Sequence, residues 1–191
     1  MRAGVFGGSF DPVHLGHLSF ARQAAERLHL DQVRFVPAAL QPLKAGGPAA
    51  ASADRVEMLR LALEGTPEFV LDARELGRPG PSYTVDTLRD MKAERPADQL
   101  FLLLGADAAR ELPRWHQTDE VVRLARLVVV PRPGSALPPL PAGSITLDIR
   151  PLEVSATAIR DAVRRGASIE HMVPPAVAGY IRSHGLYRTG A

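Results

Sequence analysis

The sequence predicts an α/β fold, a doubly wound parallel sheet, on three observations. Strand-like runs alternate with helical ones along the chain, several of the strands are apolar throughout, and the first strand passes through a glycine turn into a helix. In order, Ala3 to Phe6 reads as a short buried strand, and Leu18, Ala21, Ala25 and Leu28 recur at helical spacing after the turn. Further strands are predicted at Gln32 to Val36, Phe69 to Asp72, Leu100 to Leu104, Leu127 to Val130 and Ile145 to Ile149. Helical periodicity falls at Asp54 to Leu63, Thr84 to Glu94 and Thr118 to Leu124. Ser155 is a good N-cap for a helix through Arg165 that Gly166 stops, and a last helix runs from Pro174 to His184 with Gly185 at its end. In such a sheet, ligands bind outside the carboxyl ends of the strands.

The 191 residues suit one domain, 1–191, in which about 155–191 form a small C-terminal helical part. Apolar residues at 46% and charged residues at 23% are those of a globular chain and argue against disorder. The net charge of +2 is small and the basic residues are spread along the chain, so no nucleic-acid patch is expected. Without cysteine there is no disulfide, thiolate metal site or cysteine nucleophile. The N-terminus reaches its glycine turn too soon for a signal peptide, and no apolar run approaches the ~20 residues of a spanning helix, so no membrane is expected and a cytoplasmic location follows. Oligomeric state stays open, a homo-oligomer included.

Gly7-Gly8-Ser9-Phe10-Asp11-Pro12-Val13-His14-Leu15-Gly16-His17 is the most informative stretch. Glycines let the backbone approach a ligand, and the positive end of the following helix favours an anion. His14 and His17, three apart, can point the same way and donate to a phosphate oxygen whether neutral or charged. No Gly-Lys-Ser/Thr follows, so this is not a Walker A loop, and it lacks the G-x-G-x-x-G dinucleotide fingerprint. Ser155, Thr157 and Arg160 place two hydroxyls and a guanidinium at a second helix start, which suits a triphosphate. Two loops rich in Pro, Gly and Ala, Pro37 to Ala53 and Pro131 to Gly143, carry Lys44 and Arg132, cations able to reach a phosphate edge.

The first stretch resembles the G-x-F-D-P-x-H-x-G-H signature of the nucleotidyltransferase superfamily with a Rossmann-like fold, and Val154 to Arg160 resembles its I-S-x-T-x-I-R motif. Pro81-Ser82-Tyr83-Thr84-Val85-Asp86-Thr87-Leu88, Gly105-Ala106-Asp107 and Leu112-Pro113-Arg114-Trp115 narrow the resemblance to the bacterial nicotinate-nucleotide adenylyltransferases, over about Gly4 to Arg188. The resemblance implies adenylyl transfer from ATP to nicotinate mononucleotide, with Mg²⁺ held mainly through the ATP phosphates and by no dedicated protein metal site. It implies that His14, His17, Lys44 and Arg160 act on the phosphates. Gly7, Gly8, Ser9, Phe10, Gly105, Asp107, Ser155 and Thr157 are implied to bind ATP. Thr84, Val85, Trp115 and Arg132 are implied to bind the mononucleotide, Thr84 at the pyridine carboxylate and Trp115 stacked on the pyridine. Stacking of this kind is worth roughly 0.5–1.5 kcal/mol beyond burial. Asp11 reads as structural rather than as a metal ligand.

Three positions depart from the family pattern. Leu43 stands where the family commonly has His, His116 where Tyr is common, and Ser9 where Thr is common, the last keeping its hydroxyl. Nicotinamide mononucleotide and pantetheine phosphate are the alternative acceptors, and a catalytically silent nucleotide-binding protein is the alternative of another class.

Overall fold

The computed structural model describes residues 1–42, 47–131, 137–149 and 152–188. Six strands, β1 (Arg2–Gly8), β2 (Gln32–Pro37), β3 (Phe69–Leu71), β4 (Gln99–Gly105), β5 (Ala125–Val130) and β6 (Ile145–Thr146), pair in the order β3-β2-β1-β4-β5-β6, and every pair is parallel. The expected sheet is therefore present, with its strand order reversing between β1 and β4. The predicted last strand is shorter than expected: the strand spans only Ile145 and Thr146, with the Leu147 N–H still donating to the Val129 carbonyl of β5 at 2.9 Å.

Seven α-helices are described: α1 (Leu15–Leu28), α2 (Ser52–Leu63), α3 (Thr84–Glu94), α4 (Ala106–Glu111), α5 (Thr118–Leu124), α6 (Ala156–Arg164) and α7 (Pro175–Ser183). Helix α4 and two 3₁₀ turns, Arg74–Gly77 and Leu112–Arg114, carry no periodic signal in the sequence, because each is too short to complete an apolar stripe.

Alternation along the strands divides the core in two. Phe101 and Leu103 of β4, with Val128 and Val130 of β5, pack with Phe6 and Phe35 against α1, α2, α6 and α7. Leu100, Leu102 and Leu104, with Leu127 and Val129, face the other way onto Val85 and Leu88 of α3, Ala109 of α4 and Val121 of α5. Ile159, Val177 and Ile181 lie in the first cluster, so the C-terminal helices share the core of one sheet face. Both faces are covered, which is why the strands read as continuous apolar runs. The carboxyl ends of β1 and β4 are left open between the two layers.

Candidate active site

An open cleft of about 1420 Å³ runs across the carboxyl ends of β1 and β4. It exceeds the ~300–1,000 Å³ of an ordinary small-molecule pocket, leaving room for two nucleotides side by side. Its position is the switch point of strand order, where a doubly wound sheet parts its flanking helices.

The floor at one end is the β1–α1 corner. Phe10, at φ 46°, reverses the chain with its ring buried against Phe6 and against His17, the latter at 5.1 Å. A Cβ at Gly8 would meet the Phe10 ring at 3.2 Å, so that the buried ring would have to give by a few tenths of an ångström. The chain then enters α1 through a reciprocal cap made by two histidines. The His17 N–H donates to His14 Nδ1 at 3.3 Å, and the His14 N–H donates to His17 Nδ1 at 3.2 Å. The rings stack at 3.6 Å. This is capping-box geometry with imidazole in both roles. Since each Nδ1 is an acceptor, the proton of each neutral ring resides on Nε2.

Burial drives the His14 pKa down to about 4, so this ring is neutral near pH 7 and acts as an N–H donor rather than as a charge. The helix start is also less open than the sequence suggests. Leu15 gives its N–H to the Met172 carbonyl and His17 gives its own to His14, leaving the Gly16 N–H without an acceptor among the described residues. Gly16 is needed for that: a Cβ there would lie 3.0 Å from His14 Nδ1.

Two residues that sequence reasoning did not assign to the site hold the corner from behind. Arg55 of α2 is buried and donates to the carbonyls of Ser9 at 2.7 Å and Ala38 at 2.8 Å, tying the ends of β1 and β2 together. The Asp11 carboxylate accepts from the N–H groups of Ala49 and Ala50 and from the Tyr187 hydroxyl at 2.7 Å. Both its oxygens are thus engaged, in keeping with a structural role. Arg55 falls on the buried face of α2, three and four residues before Met58 and Leu59, a spacing that could have flagged it, whereas Tyr187 lies far along the chain with no local signal.

At the opposite end stand the first turn of α3 and the segment after α4. Thr84 opens α3 and lines the cleft, and Tyr83 at the N-cap makes no side-chain capping bond, so that helix end is open to a ligand. The half-buried Trp115 lines the cleft, and its backbone N–H is tied to the Leu112 carbonyl. His116 packs on Tyr83 at 4.5 Å, an aromatic contact in the place where Tyr is common.

The structure brings most of the expected residues to one cleft and separates some. Gly7, Gly8, Ser9, His14 and His17 line it from β1 and α1, Gly105 and Asp107 from the end of β4, and Ser155 from the start of α6. Ser155 caps α6 by accepting the Ala158 N–H, as its sequence position predicts. The Phe10 and Val85 side chains, in contrast, are core, each 1% exposed or less, so any ligand contact at these two positions falls to the backbone. Thr157 and Arg160 are outside the cleft wall, because the Arg160 guanidinium turns to the Asp11 carbonyl at 2.6 Å and toward the Thr157 hydroxyl. Asp107 is paired with Arg110 one turn on. Lys44, Arg132 and Leu43 lie outside the described residues.

A parallel sheet with a glycine-histidine corner at its switch point defines a nucleotide-binding α/β protein, and residues 5–162 match the cytidylyltransferase-like family model. A Thermus thermophilus protein named "Probable nicotinate-nucleotide adenylyltransferase" is 47% identical over 98% of this chain and 100% of its own length. A Dehalococcoides mccartyi protein of the same name is 41% identical over 98% of this chain and 97% of its own. A nicotinic acid mononucleotide adenylyltransferase of Plasmodium falciparum, solved in complex with NaAD, shares the fold at a TM-score of 0.81 with 17% identity, over 97% of each chain. The chain belongs to the nicotinate-nucleotide adenylyltransferase family.

Proposed function

We propose that the protein joins the adenylyl group of ATP to nicotinate mononucleotide, releasing pyrophosphate and forming nicotinate adenine dinucleotide, a step of NAD synthesis. The observation that carries the reading is the cleft itself. It connects a phosphate corner bearing His14 and His17 to an open helix end flanked by an aromatic ring, in a chain 47% identical to a named relative across its length.

In this reaction an oxygen of the mononucleotide phosphate attacks the α-phosphorus of ATP, and the bond from that phosphorus to the bridging oxygen of pyrophosphate breaks. The attacking phosphate is already anionic near neutral pH, so no protein base is required. What the protein supplies is alignment and stabilisation of negative charge. The two imidazoles, fixed as Nε2–H tautomers by their mutual cap, are preset donors for the α- and β-phosphate oxygens. Neutral donors held in place need no reorganisation when charge develops, which is where such groups act most strongly. Lys44 and Arg160 add positive charge for the departing pyrophosphate in this reading, Arg160 by leaving the Asp11 carbonyl when the triphosphate enters.

Mg²⁺ entering with ATP would neutralise part of the triphosphate charge. Asp11, the carboxylate nearest the histidine corner in sequence, has both oxygens occupied. Among the described residues no cluster of three His, Asp or Glu side chains suits a metal. In this reading the ion would be coordinated mainly by phosphate and water.

At the pyridine end, the open α3 turn and the Thr84 hydroxyl meet the substrate carboxylate. An amide brings an NH₂ donor toward N–H donors, a mismatch costing ~1–3 kcal/mol. Among the described residues no helix is long and apolar enough to cross a membrane; we place the reaction in the cytoplasm, where a chain without cysteine is at no disadvantage.

The test is pyrophosphate release with ATP and Mg²⁺, comparing nicotinate mononucleotide, nicotinamide mononucleotide and phosphopantetheine. Highest kcat/KM is expected for the acid mononucleotide and little release with phosphopantetheine. Equal or higher kcat/KM for the amide would overturn acid specificity, and no release with any acceptor would overturn adenylyl transfer.

A further inference from the structure

The 3₁₀ turn Arg74–Gly77 lies along α3 and is fastened to it at three levels. Along α3, Glu75 accepts the Thr87 hydroxyl at 2.6 Å, Arg78 just after the turn pairs with Asp90 at 2.5 Å, and Arg74 pairs with Glu94 at 3.0 Å. The two ion pairs involve carboxylates that are more than half exposed, where an ion pair contributes little. The first contact is different: Glu75 is 7% exposed, Thr87 is 1% exposed, and both line the cleft. Burial pushes the Glu75 carboxyl above the usual carboxylate range, while Thr87, Ser82 and Arg78 act to hold it ionised. A carboxylate withdrawn from water in this way is costly unless its acceptor sites are used.

What it holds is the segment that presents Thr84. Thr87 is in the first turn of α3 beyond Thr84, and Ser82, whose hydroxyl also acts on Glu75, is two residues before it. Ser82 continues the connection across the cleft, since its hydroxyl accepts the Ala39 N–H at 3.0 Å and its own N–H donates to the Leu40 carbonyl at 2.9 Å. Ala39 and Leu40 belong to the segment leaving β2 that carries Gln41, a further residue of the cleft wall. Glu75 is therefore bonded to α3 through Thr87 and acts on Ser82, the residue that ties the segment leaving β2 to the start of α3.

We infer that Glu75 is a positioning residue for the pyridine mononucleotide: through Thr87 and Ser82 it fixes the open end of α3 and the segment after β2 against each other, so that Thr84 meets the substrate carboxylate in place. The inference rests on the adenylyl-transfer reading above. Glu75 acts through its neighbours and has no part in moving the adenylyl group.

The experiment is steady-state kinetics of Glu75→Ala, Glu75→Gln and Thr87→Val with each substrate varied in turn, beside thermal melts. Loss of both acceptor oxygens in Glu75→Ala should raise KM for nicotinate mononucleotide roughly tenfold, the size of one strong hydrogen bond. KM for ATP should stay within about twofold. Glu75→Gln keeps one acceptor oxygen and should fall between wild type and Glu75→Ala. Thr87→Val leaves the carboxylate and removes its donor, so it should reproduce the same split even if Glu75→Ala does not fold. An unchanged KM for the mononucleotide, an equal rise for both substrates, or a fall in mononucleotide KM would each overturn the role, the last by showing that the carboxylate repels the substrate. Wild-type protein that makes no dinucleotide would instead overturn the adenylyl-transfer reading, and the role of Glu75 would fall with it.

Discussion

Gly16→Ala places one methyl group where the structure has least tolerance for it. The new Cβ would lie 3.0 Å from His14 Nδ1, 3.1 Å from His14 Cε1 and 3.5 Å from the Val154 carbonyl oxygen. The His14 ring would have to give by a few tenths of an ångström, but it is stacked on His17 at 3.6 Å and already accepts the His17 N–H at a long 3.3 Å. A shift of that size lengthens the cap past useful hydrogen-bond distance. Losing the cap costs about 1 kcal/mol, and replacing Gly by Ala in a helix returns roughly 0.5–1 kcal/mol. Stability should therefore change little, with Tm within roughly 4 °C of wild type. Turnover should not be spared, since the displaced atoms belong to a phosphate donor and misplacement of about 1 Å costs on the order of 100-fold in rate. We expect kcat to fall roughly 10- to 100-fold in a folded protein, measured by pyrophosphate release and a thermal melt. Wild-type kcat would refute the claim that the histidine cap sets the donor geometry, and a Tm loss well beyond this range would show that the corner had collapsed.

The remaining predictions concern the two ends of the cleft and the strap behind it. Trp115→Ala should raise KM for nicotinate mononucleotide about three- to tenfold, the equivalent of one stacking interaction, with ATP affected less; equal weakening of both ligands in isothermal titration would make Trp115 a packing residue only. Tyr187→Phe removes the hydroxyl that donates to Asp11 at 2.7 Å and should cost about 1–2 kcal/mol in urea unfolding, with a larger effect on KM for ATP than for the mononucleotide. An unchanged unfolding midpoint would count against the strap. His14 titrates in the folded protein at about 4, below its ordinary value of 6.5, so its contribution to stability is complete above pH 6.5 and is lost as pH falls through 4. That loss is on the order of 3 kcal/mol. Wild type should therefore lose Tm more steeply than His14→Ala between pH 6.5 and 4, and parallel profiles would show that the ring is not buried neutral.

Local pattern made much of this protein readable, and its limits have a physical cause. The bounds expected for α3 and α5 are the observed ones, because there an apolar stripe begins at a clear start and ends at a polar turn before β4 or directly at β5. The doubly wound parallel sheet, the glycine-histidine corner and the capping role of Ser155 were legible for the same reason: each depends on neighbours close in sequence or on a run long enough to show its period. Tertiary structure alone decided what depends on contacts between distant segments. It buried Arg55 under the ends of two strands, drew Tyr187 back to Asp11 across 176 positions, and turned the Arg160 guanidinium onto the Asp11 carbonyl. It also placed the Phe10 and Val85 side chains in the core, and buried Glu75 against the Thr87 hydroxyl. A charged side chain such as Glu75, in a turn too short to show an apolar stripe, reads as solvent-facing. Only the packing of other elements over it withdraws it from water, and that packing is set by the whole chain.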